Sequence, residues 1–183
     1  SFGSPTNPYC WVFNLTLNGA AESGGHEIGH TVGLRHDGTS SRAYYTGHTH
    51  ASGVSWGPIM GTSYGRNITQ FSKGEYPGAN RTEDDLAIVS SRLPYLPDDH
   101  GDSAGQASEI SPSGTFDVTG SIGGANDADL FRLESTGPGP LSVTATPHLL
   151  YRNLDVGLEL LDDQLDVIAS SFPSGPFDAT ITT

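Results

Sequence analysis

A mixed α+β chain in two parts is predicted, a helix-centred part followed by an antiparallel β-sandwich. Three observations carry this expectation. Residues 26–37, HEIGHTVGLRHD, repeat histidine at helical spacing. From residue 108 onward the apolar positions alternate with a period of two. Between the two the charge balance shifts: residues 1–95 hold 6 basic and 7 acidic residues, residues 96–183 hold 2 and 14. The predicted boundaries are 1–95 for the first part, 96–107 for a linker and 108–183 for the sandwich.

In chain order, Trp11-Val12-Phe13-Asn14-Leu15 is a short apolar run and reads as a strand. A helix is expected from near Ala20 to about Gly33, carrying the histidines. Gly24, Gly25 and Gly29 each weaken it by roughly 1 kcal/mol against alanine, so it needs packing and metal to hold. Residues 38–80 are rich in Gly, Ser, Thr and Tyr and read as loop. A second helix is predicted over about 83–93. Thr82 is its expected cap, with Asp85 three residues on, and Leu86, Val89 and Leu93 form an apolar stripe.

The stretch Leu96-Pro97-Asp98-Asp99-His100-Gly101-Asp102-Ser103 marks the boundary. Strands follow at Phe116/Val118, Phe131/Leu133, Leu141/Val143/Ala145, Val156/Leu158/Leu160 and Leu165/Val167/Ala169. Gly123-Gly124, Gly137-Pro138-Gly139-Pro140 and Asp162-Asp163 supply the turns. Alternation is still running at Thr183, so a further strand or two is expected beyond it. The Pro/Asn/Gly-rich start likewise reads as a cut end.

A chain of 183 residues can form one domain with a real core, or two small ones. Its net charge of −13, with 8 Lys+Arg, argues against nucleic acid and anionic membranes as partners. No apolar run approaches the length of a membrane span. Cys10 stands alone and forms no disulfide within the chain. N-x-[ST] sequons at Asn14, Asn67 and Asn80 matter only in a eukaryotic secretory pathway.

The chemistry concentrates in HEIGHTVGLRHD. His26 and His30 are four apart, so on a helix they share a face and can grip one metal ion. Gly33 lets the chain leave the helix and bring back His36 as third ligand. Three neutral imidazoles leave a fourth tetrahedral position open, as a catalytic zinc requires. Zinc so bound lowers the pKa of its water to about 7, and Glu27 can take the proton and pass it to a leaving amine. The alternative for Glu27 is a hydrogen-bonding partner behind a ligand. His48 and His50, in a polar loop, read as solvated residues, although that loop and Trp56 are candidates to line a substrate cleft.

His26-Glu27-x-x-His30-x-x-Gly33-x-x-His36 resembles the signature of metzincin zinc peptidases. Metzincins carry a methionine in a tight turn beneath the zinc. Met60, in Trp56-Gly57-Pro58-Ile59-Met60-Gly61, stands where that turn is expected. Asp37, directly after His36, resembles the adamalysin/reprolysin branch, where it implies a buried structural carboxylate. The resemblance covers about residues 10–95, as the lower subdomain of such a catalytic domain. It implies an upper subdomain that these residues lack, so the fragment is expected to bind zinc yet cut peptides poorly. The lead-in around Asp98 and the run Asn126-Asp127-Ala128-Asp129-Leu130-Phe131 are similar to pre-peptidase C-terminal domains, truncated here. Some of these bind calcium, which makes Asp127 and Asp129 its candidate ligands, against a plain turn-capping role.

A secreted, monomeric zinc endopeptidase acting on protein or peptide substrates is therefore expected. The competing expectation is a secreted non-catalytic binding or adhesion module with a structural or degenerate zinc site. Glu27 favours the enzyme, since a dead site usually loses its base.

Overall fold

The structure is a computed structural model. It describes residues 9–14, 16–111, 114–124, 126–135, 137–148, 153–173 and 178–183. The chain forms two compact units, Ser1–Arg92 with Leu141–Thr183, and Leu93–Pro140.

In the first unit, helix α1 spans Leu17–Thr31. It starts three residues before the expected Ala20, because Thr16 caps it: the Thr16 Oγ1 accepts from the Gly19 N–H at 3.1 Å. At the other end Gly33 takes φ +104°, a left-handed backbone that suits glycine. The Gly33 N–H donates to the His30 carbonyl at 3.1 Å, and the Leu34 N–H to the Gly29 carbonyl at 3.0 Å. These paired bonds are a Schellman closure, which turns the chain sharply off the helix axis.

The expected strand at 11–15 does not form over residues 11–14, and Leu15 lies outside the described residues. The stretch 38–80, read as loop, contains three short strands: β1 (His48–Thr49), β2 (Ser55–Pro58) and β3 (Ile68–Gln70). They form one sheet in that order, β1–β2 antiparallel and β2–β3 parallel. Strands this brief show too few alternations to be read against a Gly/Ser background.

Helix α2 covers Asp85–Ser90, shorter than the predicted 83–93. Its cap is Asp84, whose Oδ1 accepts from the Ala87 N–H at 3.0 Å, in place of the expected Thr82. That register turns Asp85 inward. Of the expected stripe, Leu86 and Leu93 are 39% and 48% exposed, and Val89 alone turns to the core. Val89 packs together with Ile88, Ile59 and Phe71 against a core of Val32, Leu34 and Met60. This core joins the end of α1, the loop before β3 and α2 directly beneath the histidines.

The remainder of this unit is β. Strand β6 (Ser142–Ala145) pairs antiparallel with β9 (Ala179–Thr182), and β7 (Leu158–Leu161) with β8 (Val167–Ser171). β9 buries Ala179 and Ile181 and contacts both β7 and β8. Its outward Thr180 pairs its hydroxyl with that of Thr144 at 3.0 Å. Asn153 ties this region to β3: its Oδ1 accepts from the Thr69 N–H at 2.6 Å, and its Nδ2 donates to the Thr69 carbonyl at 2.9 Å.

In the second unit, β4 (Ser108–Ile110) and β5 (Phe131–Leu133) pair parallel. Phe116 and Val118 lie on no strand. The antiparallel sandwich expected over 108–183 therefore differs from the observed pairing. The described strands of that stretch make three two-stranded ladders divided between the two units, one of them parallel. Alternation locates a strand but does not name its partner, and the Asn153 bonds bring 141–183 to the helical part.

Candidate metal centre

His26 and His30 project from one face of α1, and His36 returns beside them after the Gly33 turn. Their ligating nitrogens lie within 4.8 Å of one another. Nε2 of His30 and Nε2 of His36 are 3.0 Å apart. Nitrogens held about 2.0 Å from a tetrahedral zinc stand roughly 3.3 Å apart, so the spacing suits that ion.

Two of the three rings are held by backbone. Nδ1 of His26 hydrogen-bonds the Ile59 carbonyl at 2.8 Å, and Nδ1 of His30 the Leu34 carbonyl at 3.0 Å. A carbonyl only accepts, so each Nδ1 carries the proton and each Nε2 is left with its lone pair for a metal. The second of these carbonyls belongs to the residue whose N–H closes the Schellman turn. The device that ends α1 thus also orients a histidine on it. Burial, followed by the neighbouring His30 and His26 rings, lowers the pKa of His36, against an opposing pull from Glu27. That direction favours the neutral imidazole, the form a metal binds. Glu27 is half-buried on α1 next to His26 and close enough to act electrostatically on His36.

Met60 is fully buried under this group, and a Cβ on Gly29 would collide with its Sδ. The Met60 carbonyl accepts from the Asp37 N–H at 2.9 Å, and the Gly61 N–H closes a tight turn onto the Pro58 carbonyl at 3.0 Å. Asp37 is 1% exposed. Its Oδ2 accepts from the Ser72 hydroxyl at 2.8 Å, while the Ser72 N–H donates to Oδ2 of Asp85 at 3.2 Å. Ser72 therefore stands between two buried carboxyls. Burial pushes both up: Asp37 with partial relief from the Ser72 bond, Asp85 to about 7 with Asp37 as the second cause. The Tyr76 hydroxyl, donating to the Gly38 carbonyl at 3.0 Å, is also pushed up, by burial and then by these two acids.

The sequence alone gives three residues beside or beneath the site no part in it. Ser72 and Asp85 are one pair; Asp85 is expected only as the residue three after a Thr82 cap, and the observed Asp84 cap turns it inward against Ser72. The third is Tyr44, whose ring centroid lies 4.3 Å from that of His36 and 6.2 Å from that of His26. No spacing rule links it to the histidines, because a turn at Thr39–Arg42 carries the chain back.

His48 and His50 stay outside the three-histidine group. With Trp56, Gln70, Asn153 and Asp155 they line a cleft of about 370 Å³ beside the β1–β2–β3 sheet. The Trp56 Nε1–H donates to Oε1 of Gln70 at 2.9 Å, and His48 Nδ1 meets the Tyr45 hydroxyl at 3.0 Å.

In the second unit, carboxylate oxygens of Asp98, Asp99 and Asp129 lie within 4.8 Å of one another. Asp127, expected to join Asp129, instead accepts from the Gly123 N–H with its Oδ2, the turn-capping role. Burial first, then the charge of Asp99, raises the pKa of Asp129.

Comparison with known families gives one match. The Reprolysin_5 family, described as Metallo-peptidase family M12, matches residues 17–72. That span opens with α1 and closes just beyond β3, and it contains His26, Glu27, His30, Gly33, His36, Asp37 and Met60. It supports a metallopeptidase domain, with the zinc ion and the protein substrate such a family implies. The match covers less than a third of the chain. No curated protein and no solved structure matches.

Proposed function

We propose that the chain carries the zinc centre of an endopeptidase of adamalysin/reprolysin-like metzincin type, with Glu27 as its base. The observation that carries this reading is the orientation of the histidines: carbonyls of Ile59 and Leu34 hold the Nδ1 protons, so that imidazole lone pairs converge. His26, His30 and His36 would hold zinc. When bound, zinc supplies Lewis acidity, which acidifies water and polarises a peptide carbonyl.

The chain's own residues do the rest. Glu27 accepts a proton from the attacking water and returns it to the departing nitrogen, which leaves as an amine and not as an amide anion. The nucleophile is water: its oxygen bonds to the scissile carbonyl carbon, and the C–N bond breaks. Gly33 and the Schellman turn hold the angle between α1 and His36. Asp37 and Met60 form the floor, which fixes the separation of α1 from the 58–61 turn. Protein or peptide chains are the substrates. We further read the protein as a secreted monomer.

The test is direct. Elemental analysis of the purified protein should give one zinc per chain. The zinc-loaded full-length protein that carries this chain should cleave casein, and Glu27→Gln in it should keep the zinc while losing at least ~100-fold in rate. Substoichiometric zinc overturns the site. Full activity in Glu27→Gln overturns the role of the base, and an inert, zinc-loaded full-length protein overturns the endopeptidase reading.

A further inference from the structure

Each of the outer two ligands on α1 has its ring fixed by a backbone carbonyl, Ile59 for His26 and Leu34 for His30. His36 does not. Its Nε2 faces His30, and among the described residues its Nδ1 meets no hydrogen-bond partner. It also sits off the helix, beyond the glycine turn, where the backbone alone constrains it least. A side chain in that position keeps its freedom of rotation about χ1 and χ2 unless something packs on the ring, and metal affinity falls when a ligand must be ordered on binding.

One side chain does pack on it. The Tyr44 ring lies 4.3 Å from the His36 ring, centroid to centroid, at an interplanar angle of 41°. It also reaches His26, at 6.2 Å and 33°. Tyr44 is held in that place from behind. The Tyr45 N–H donates to the Asp37 carbonyl at 2.7 Å, and the Tyr45 ring stacks on Tyr76 at 4.1 Å. The strap 43–45 is thereby fastened next to His36 itself. Tyr44 is 40% exposed, with its ring tilted against the imidazole.

We propose that Tyr44 is a positioning residue for the metal centre: its ring, not its hydroxyl, holds the His36 imidazole, whose Nδ1 meets no hydrogen-bond partner among the described residues, in the ligating orientation. The inference rests on the zinc reading above. It assigns to an aromatic face the task that carbonyls perform for the other two ligands.

The experiment compares wild type, Tyr44→Phe and Tyr44→Ala by zinc affinity, measured in competition with a chromophoric chelator, and by thermal unfolding of the metal-free proteins. Tyr44→Ala should bind zinc about tenfold more weakly, at the lower end of the loss typical for groups that orient a ligand. Tyr44→Phe keeps the ring and should stay within about twofold of wild type. Metal-free melting should be nearly the same in all three, because the residue is substantially exposed. Equal affinity of Tyr44→Ala and wild type overturns the inference. So does a Tyr44→Phe variant as weak as Tyr44→Ala, which would assign the role to the hydroxyl, or a metal-free Tyr44→Ala that melts early enough to account for the weaker binding. A wild type that takes up no zinc overturns the metal centre itself, which is a separate result.

Discussion

Asp85 shows how much a single residue can decide. It sits 3% exposed with its carboxyl against the Ser72 N–H and with Asp37 as an acidic neighbour. Its pKa is raised to about 7 by burial first and then by that neighbour. A carboxyl whose folded pKa lies above its unfolded value binds its proton more tightly when folded. Its stabilising contribution is complete below about pH 4 and is lost as pH rises through about 7. Asp85→Asn keeps an acceptor for Ser72 and removes the ionisation. It should gain roughly 2 kcal/mol over wild type at pH 8 and little at pH 4, measured by urea unfolding of the metal-free protein at each pH. A wild type whose stability does not fall between those values would refute the argument. The sequence places the cap at Thr82, with Asp85 three residues on, whereas Asp84 caps and Asp85 is buried. Which one caps and which one is buried depends on whether Ile88 and Val89 reach the core, a tertiary matter. The histidines were legible for the opposite reason: their relation is set by helical geometry within one element and a single turn.

At the level of the element, α1 is a helix whose glycines have different reasons. A Cβ at Gly24 would meet nothing within 4 Å, whereas one at Gly29 would strike the Met60 Sδ. The roughly 1 kcal/mol propensity penalty read from sequence applies to both, but only at Gly24 is it uncompensated. Gly24→Ala should therefore stabilise by about 0.5–1 kcal/mol, and Gly29→Ala should destabilise by roughly 1–3 kcal/mol by forcing α1 off the floor of the site. Thermal unfolding checks both, and a stabilised Gly29→Ala would remove Met60 from the account. The helix itself was legible from histidine spacing and the glycine stop. Its start was not, because Thr16 caps through its own hydroxyl ahead of any apolar periodicity. The short strands β1–β3 were illegible since two to four residues cannot display a period.

For the whole molecule, the discontinuity of the first unit matters most. Its segments Ser1–Arg92 and Leu141–Thr183 are separated in sequence by Leu93–Pro140. Alternation revealed strands in the second half but could not reveal that Asn153 would bond the backbone of Thr69, 84 residues away. Asn153→Ala removes both of those hydrogen bonds and should cost about 2 kcal/mol in denaturant unfolding. A change below ~0.5 kcal/mol would show that this bridge holds nothing.

That bridge also sets an order of events in time. Contacts between partners so distant in sequence must wait for loop closure, whose entropic cost is met before any contact rewards it. On a ribosome, Thr69 emerges well before Asn153, so the histidine-bearing segment spends an interval without the strands that complete its unit. If the bridge forms after the folding barrier, Asn153→Ala will chiefly accelerate unfolding and leave the refolding rate nearly unchanged. A slowed refolding limb would instead make the bridge part of the nucleus. The bond pair at Asn153 then acts as a late latch, one that lengthens the lifetime of the finished site rather than hastening its assembly.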